Sequence, residues 1–205
     1  MLQIYLARHG QNVDNVNGIL NGHRDEPLTE LGISQAKETA RHIVEAQLQF
    51  DAVYCSPLER ARHTAEIICT DSDHGSPVVH PTLIERDFGV MTGKPVGSIK
   101  ELCSPDIVET NVITYFLAPT DGETFPDLIV RAKQLVSELQ SNHPDGSVLL
   151  VTHGDIGKML YAAYYNLDWQ TVLTDFHFGN CELLLLSPDS PAEDAHVFEQ
   201  LQHNH

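Results

Sequence analysis

Residues 147–154 read SVLLVTHG and run directly into DIGKMLYAAYYN (155–166). A short, unbroken aliphatic run closed by a glycine fits a strand buried on both faces, and the apolar spacing that follows is that of a helix. The alternation recurs. LQIYLA (2–7) is β-rich, and the segment 28–48 carries Leu31, Ala36, Ala40, Ile43 and Val44 at helical spacing behind Thr29, a predicted N-cap. FDAVYCS (50–56) reads as a strand and leads into PLERARHTAEIIC (57–69), a helix with Pro57 in its first turn. A helix entered near Thr124 fills 121–143, and strands are predicted at 181–187 and 196–202. Residues 71–97 are turn-rich, and 98–120 are acidic with helical pieces. Strands alternating with helices predict a three-layer α/β sandwich. Its central sheet is mostly parallel, with helices on both faces, and a lid around 98–127 belongs to a single domain spanning 1–205.

The chain has 205 residues, 41% hydrophobic and 20% charged, which suits a globular domain with a substantial core. Its formal net charge of −17 comes from acidic residues spread along the whole chain. Such a surface repels nucleic acid and anionic lipid, so neither is an expected partner. Cys55, Cys69, Cys103 and Cys181 lack CxxC spacing and read as reduced thiols. No basic leader, cleavage site or bilayer-length apolar run occurs, and the expected location is the cytoplasm. A homo-oligomer is compatible with this reading.

In open α/β sheets, ligands sit beyond the carboxyl ends of the strands. Arg8 and His9 follow the first strand, Arg60 follows 50–56, and His153 follows 147–152. Two arginines are costly to bring together without an anion between them, and a phosphoryl group is the simplest such anion. Fixed guanidinium charge also keeps a neighbouring imidazole neutral and nucleophilic. Gly10 and Gly154, each directly after a histidine, allow backbone N–H groups close to an oxygen. A metal site on His9 and His153 would need HxH, HExxH or paired carboxylates, and none lies near either residue. GxxxxGK and GxSxG runs are absent too.

LARHGQNVDN (6–15) resembles the RHG signature of the histidine phosphatase superfamily, the phosphoglycerate-mutase-like proteins. The likeness continues in order through NGHRDEPLTELGISQA, VYCSPLERARHTAEI, LIERDFGVMTGK, DGETFPDLIVRA and VLLVTHGDIGKML. It implies that His9 becomes phosphohistidine, and that Arg8, Arg60 and His153 complete the phosphate pocket. It also implies that Glu85 protonates the leaving oxygen, and that Asn15, Asn21 and Gly22 contact substrate. Gly154, Arg8, Arg60 and His153 are the other expected substrate contacts. No cofactor and no metal are implied. In-line displacement at phosphorus requires these same roles: a nucleophile, charge neutralisation and a proton for the departing alcohol.

The expected activity is a metal-independent phosphomonoesterase for a small phosphorylated metabolite. Mutase-type transfer and non-catalytic phosphate binding are the alternatives. Between Lys100 and Arg131 there is no Lys, Arg or His, whereas Glu101, Asp106, Glu109, Asp121, Glu123 and Asp127 all fall there. A lid of that sign over the pocket predicts a leaving group that is not anionic. RHGQN departs from the usual acidic residue and threonine after RHG.

Overall fold

The computed structural model describes residues 1–200. Strand β1 (Gln3–Arg8) lies inside a six-stranded sheet of order β3-β2-β6-β1-β7-β8. Its neighbours are β6 (Ser147–Thr152), parallel to it, and β7 (Leu183–Leu186), antiparallel to it. Strand β2 (Ala52–Cys55) runs parallel to β6 on one side and to β3 (Val78–Val79) on the other. At the opposite edge β8 (His196–Phe198) pairs antiparallel with β7. Of the strand predicted at 196–202, positions 201 and 202 lie outside the described residues.

Successive side chains of a strand face opposite sides, so each central strand feeds two cores. Ile4, Leu6, Val148, Leu150, Leu184 and Leu186 bury against α5 (Phe125–Asn142) and α6 (Gly154–Tyr165). Tyr5, Ala7, Val53, Leu149, Val151 and Leu183 bury against α2 (Glu30–Glu45) and α3 (Glu59–Asp71). Full burial of each large aliphatic chain is worth about 1.5–3 kcal/mol, and this burial makes the sheet the rigid base of the molecule. Thr29 caps α2 by accepting from Gly32 N, and Thr124 with Asp127 forms a capping box on α5. All four cysteines are free, and three are buried.

Three local readings change. Pro57 is not in the first turn of α3: Leu58 is the N-cap, in extended conformation, and Pro57 precedes it. The segment 98–120 forms only one helix, α4 (Ile99–Cys103), followed by an antiparallel hairpin of β4 (Ile107–Glu109) and β5 (Thr114–Phe116). Its β-branched and aromatic residues outweigh helix propensity, and Thr110 Oγ1 fixes the turn by accepting from Ile113 N at 2.9 Å. Short helices α1 (Val13–Asn17) and α7 (Trp169–Asp175) join the predicted set.

Two features aim these elements at one spot. Register pairs Arg8 with Thr152, so the carboxyl ends of β1 and β6 lie side by side. A small satellite core of Leu20, Phe88, Met91, Ile99 and Phe116 seats the hairpin beyond those strand ends. The start of α2 also presses on the loop after β1. A Cβ on Gly32 would lie 2.0 Å from Gln11 O, so that approach requires glycine.

Candidate active site

A cavity of about 250 Å³ opens beyond the carboxyl ends of β1 and β6. Arg8, His9, Asn15, Asn21, Arg60, Glu85 and Gly154 line it. Two predicted residues, His153 and Gly22, are not on its wall. His153 is fully buried behind His9, with ring centroids 5.1 Å apart. The Gly22 carbonyl accepts from Arg60 at 2.9 Å.

The loop after β1 fixes His9 from both ends. Its N–H donates to Thr152 O at 2.9 Å, and Asn180 Nδ2 donates to its carbonyl at 2.8 Å. On the ring, Nδ1 lies 2.8 Å from Gly10 O, an acceptor, so Nδ1 carries the proton. Nε2 is therefore the bare nitrogen, and Arg60 Nε donates to it at 3.2 Å. Burial, then Arg60 and Arg8, holds the His9 pKa well below the ordinary imidazole value, against a smaller opposing effect of the Gly10 bond. The same causes keep His153 neutral. Burial outranks the guanidinium field in both.

Backbone carbonyls hold the arginines. Arg60 donates to Arg24 O at 2.6 Å as well as to Gly22 O, and Arg8 donates to Phe178 O at 3.0 Å. Burial pulls Arg60 down to about 10, which leaves it charged at neutral pH. Arg8 Nε and His153 Nδ1 are buried without a protein partner, while His153 Nε2 meets Ser56 Oγ at 2.6 Å. Unpaired buried nitrogens of this kind suit an incoming oxyanion.

Glu85 reaches the start of α6. Its Oε1 accepts from Arg86 N at 2.8 Å and Ile156 N at 3.1 Å, and Oε2 accepts from Asp155 N at 3.3 Å. Burial and then Asp155 raise its pKa, opposed by the amides and by Arg60. Asn12 organises the substrate-facing asparagines. Its N–H donates to Asn15 Oδ1 at 3.2 Å, and its Nδ2 donates to Asn21 Oδ1 at 2.6 Å. The neighbouring departure, Gln11, accepts from Thr29 Oγ1 and is not on the cavity wall.

The acidic lid does not face the pocket. The segment does roof the cavity, through Ile99 and Val112–Phe116, but its lining is largely apolar. Glu109 pairs with Lys100, Glu123 pairs with Arg131 at 2.7 Å, and Asp127 caps α5. Glu101, Asp106 and Asp121 are exposed. Only Glu109 of the six lies on a hairpin strand. Both sides of the hairpin carry apolar side chains that pack on the body of the protein, Val108 and Tyr115 on one core and Ile107 and Phe116 on the other. With that, the ground for excluding an anionic leaving group disappears. A Glu101→Gln, Asp106→Asn, Glu109→Gln triple variant should therefore keep the parent's substrate ranking at low and high salt, as competitive kcat/KM measurements would show.

Sequence reasoning missed Asp14, Arg86, Tyr115, Asp155 and Lys158 on the wall. The Arg86 guanidinium packs over Phe88, Phe116 and Phe125 and bonds Asp155 at 2.8 Å, tying the roof to α6. Asp155 and Lys158 had one visible signal, as charges in the otherwise apolar DIGKMLYAAYY helix. Among the described residues, no group of three or more His, Cys, Asp or Glu is placed to hold a metal ion. No helix among them is long and apolar enough to cross a membrane.

Comparison with known proteins agrees with this geometry. The family model for the histidine phosphatase superfamily (branch 1) matches residues 4–199. Adenosylcobalamin/alpha-ribazole phosphatase of Salmonella typhimurium is 32% identical over 161 residues, 78% of each chain. A 2,3-bisphosphoglycerate-dependent phosphoglycerate mutase of Methylorubrum extorquens is 30% identical over 176 residues, 82% of each. The mycobacterial glucosyl-3-phosphoglycerate phosphatase complexed with VO3 superposes with a TM-score of 0.76 at 28% identity, covering 90% of this chain and 92% of that one. With RHG at the end of β1, THG at the end of β6 and a match over nearly its whole length, the chain belongs to the histidine phosphatase superfamily.

Proposed function

We propose that this protein is a metal-independent phosphomonoesterase that acts on a small phosphorylated metabolite through a phosphohistidine at His9. The observation that carries the reading is the His9 ring itself. Its proton is committed to Gly10 O, and its bare Nε2 lies beside Arg60 in the cavity. A phosphoryl oxygen draws the Arg60 N–H onto itself and frees the Nε2 lone pair for in-line attack. As the N–P bond forms, the P–O bond to the alcohol breaks, and Glu85 gives its proton to the departing oxygen. The proton belongs on Oε2, because Oε1 already accepts two amides. In the second half, water attacks the phosphohistidine, its proton passes to Glu85, and inorganic phosphate leaves with His9 restored. Arg8 and Arg60 neutralise the charge on the equatorial oxygens, and Asn15, Asn21 and the N–H of Gly154 position the ester. His153 backs His9 as a neutral ring with its Nδ1 unpartnered.

Hydrolysis is favoured over mutase transfer by the roof. Val112, Ile113 and Phe116 roof the cavity with apolar surface in place of paired arginines that would hold a phosphorylated acceptor for the return transfer. The test is phosphate release from para-nitrophenyl phosphate with and without EDTA, run beside a phosphoglycerate isomerisation assay. Brief mixing with labelled substrate should leave acid-labile, base-stable phosphate on His9. EDTA-sensitive release, or turnover with no such label, would overturn the mechanism.

A further inference from the structure

We propose that Lys158 is a specificity residue for an anionic oxygen on the alcohol portion of the substrate, so that the cavity selects phosphomonoesters bearing a carboxylate near the ester. This rests on the phosphatase reading above and concerns what that site accepts.

Lys158 lies on α6, one turn beyond Gly154, and it lines the same cavity as Arg8, His9 and Glu85. Its ammonium donates to Tyr115 Oη at 2.7 Å and to Phe176 O at 2.5 Å, both neutral acceptors. The Tyr115 ring stands 5.2 Å from Nζ. An ammonium has three N–H donors, and these two partners use two of them. The residue is 4% exposed, and a cation buried to that degree without a carboxylate in contact is costly, although Asp155 and Glu182 lie near enough to favour its charge.

Counting charges around the cavity singles Lys158 out. Arg86 is matched by Asp155 at 2.8 Å. Among the described residues, Arg8, Arg60 and Lys158 have no carboxylate within ion-pair distance, only carbonyl, imidazole or phenol partners. A phosphoryl dianion matches the two arginines. Asp14 on the wall is matched by Arg24 at 2.8 Å. Glu85, whose pKa burial raises, enters the reaction carrying its proton. One cation therefore remains, on the hairpin side of the cavity next to Tyr115, and a carboxylate matches it.

The same group sets a pH dependence. Burial pulls the Lys158 pKa down to about 8; Asp155 on α6 and Glu182 just ahead of β7 oppose the shift, and Arg8 on β1 adds to it. Tyr115 on β5 stays a neutral phenol, because burial raises its pKa. As pH rises through about 8 the ammonium is lost, and the preference for a carboxylate goes with it.

The experiment compares kcat/KM for 3-phosphoglycerate and glycerol 3-phosphate, which share a skeleton and differ by the carboxylate. At pH 7 the parent should prefer the acid by about tenfold or more, and the ratio should fall between pH 7 and 9. Titration of Glu85 affects both esters and cancels in that ratio. Lys158→Met should bring the ratio near one at every pH, mainly through KM for the acid, and Lys158→Arg should retain most of the preference. A parent ratio near one while para-nitrophenyl phosphate is hydrolysed would overturn the inference. So would equal losses on both esters in Lys158→Met, which would make the lysine a brace between roof and helix. Failure to release phosphate from any ester, para-nitrophenyl phosphate included, would defeat the phosphatase reading itself.

Discussion

His9→Ala should lower kcat by at least about 10⁴-fold, because it removes the group that the proposed mechanism uses to take the phosphoryl covalently; that corresponds to about 5 kcal/mol of lost transition-state stabilisation. The fold survives. The bonds that hold this backbone, His9 N–H to Thr152 O and Asn180 Nδ2 to the His9 carbonyl, do not involve the imidazole. Arg60 keeps its anchors on Arg24 O and Gly22 O, so the variant still binds inorganic phosphate by titration calorimetry. A second signature is thermodynamic. His9 is held neutral in the folded protein, with its pKa well below the unfolded value. Below about pH 6.5 the unfolded chain takes up a proton that the folded one refuses, and stability falls as pH falls. The alanine variant lacks that proton, so urea midpoints between pH 7.5 and 5 decline less steeply. The difference is up to about 1.4 kcal/mol per pH unit. Near-parental turnover in this variant would end the phosphohistidine mechanism.

His9 was legible from two things together: its place beside Arg8 at the end of an apolar run that suits a buried strand, and the RHG resemblance that implies its role. The central strands carry strong local signals, because a strand buried on both faces must be apolar at every position. Ile4 and Leu6 serve one core while Tyr5 and Ala7 serve the other. The capped helices announced themselves through Thr29 and Thr124. Helices α1 and α7, at five and seven residues, have no apolar period long enough to register. Their existence depends on Asn12 and Asp168 as caps.

The hairpin over the cavity was misread for a different reason. Net charge along a segment says nothing about which face the charges occupy, and in β structure neighbouring residues point opposite ways. The β-branched and aromatic run Val112–Phe116 favours a strand, but it is short and follows an acidic stretch that reads as helical pieces. The turn bonds of Thr110 and the docking of Phe116 against Phe88 decide it, and both are tertiary facts. Lys158 escaped for the opposite reason. A lysine in an apolar helix reads as a solvated edge, and only the packing of Tyr115 and Phe176 around it shows a buried cation. Arg8 and Arg60 were thus visible just beyond strands, whereas Lys158 lay within an apolar helix and Arg86 in a loop.

Glu85→Gln separates the chemistry of bond cleavage from that of binding. A good leaving group departs without a proton, whereas an alkoxide needs one, so the loss should scale with leaving-group basicity. Alkyl phosphates should lose about 10²–10⁴-fold in kcat, and para-nitrophenyl phosphate roughly tenfold or less. The amide cannot reproduce the site in full. Its oxygen can still accept from Arg86 N and Ile156 N, but its NH₂ then faces the Asp155 N–H where Oε2 had accepted at 3.3 Å. That is the longest of the three bonds, so the structural cost is small beside the lost proton. The pH profile adds an independent reading. Burial and Asp155 raise the Glu85 pKa, so the parent keeps its acid form to higher pH than an ordinary carboxyl would. Its rate on alkyl esters declines as pH rises through that raised value, and the glutamine variant, with nothing to titrate there, loses the decline. Equal losses on aryl and alkyl esters, with the decline intact, would mean that another group carries the proton and that Glu85 only positions α6 against the ester.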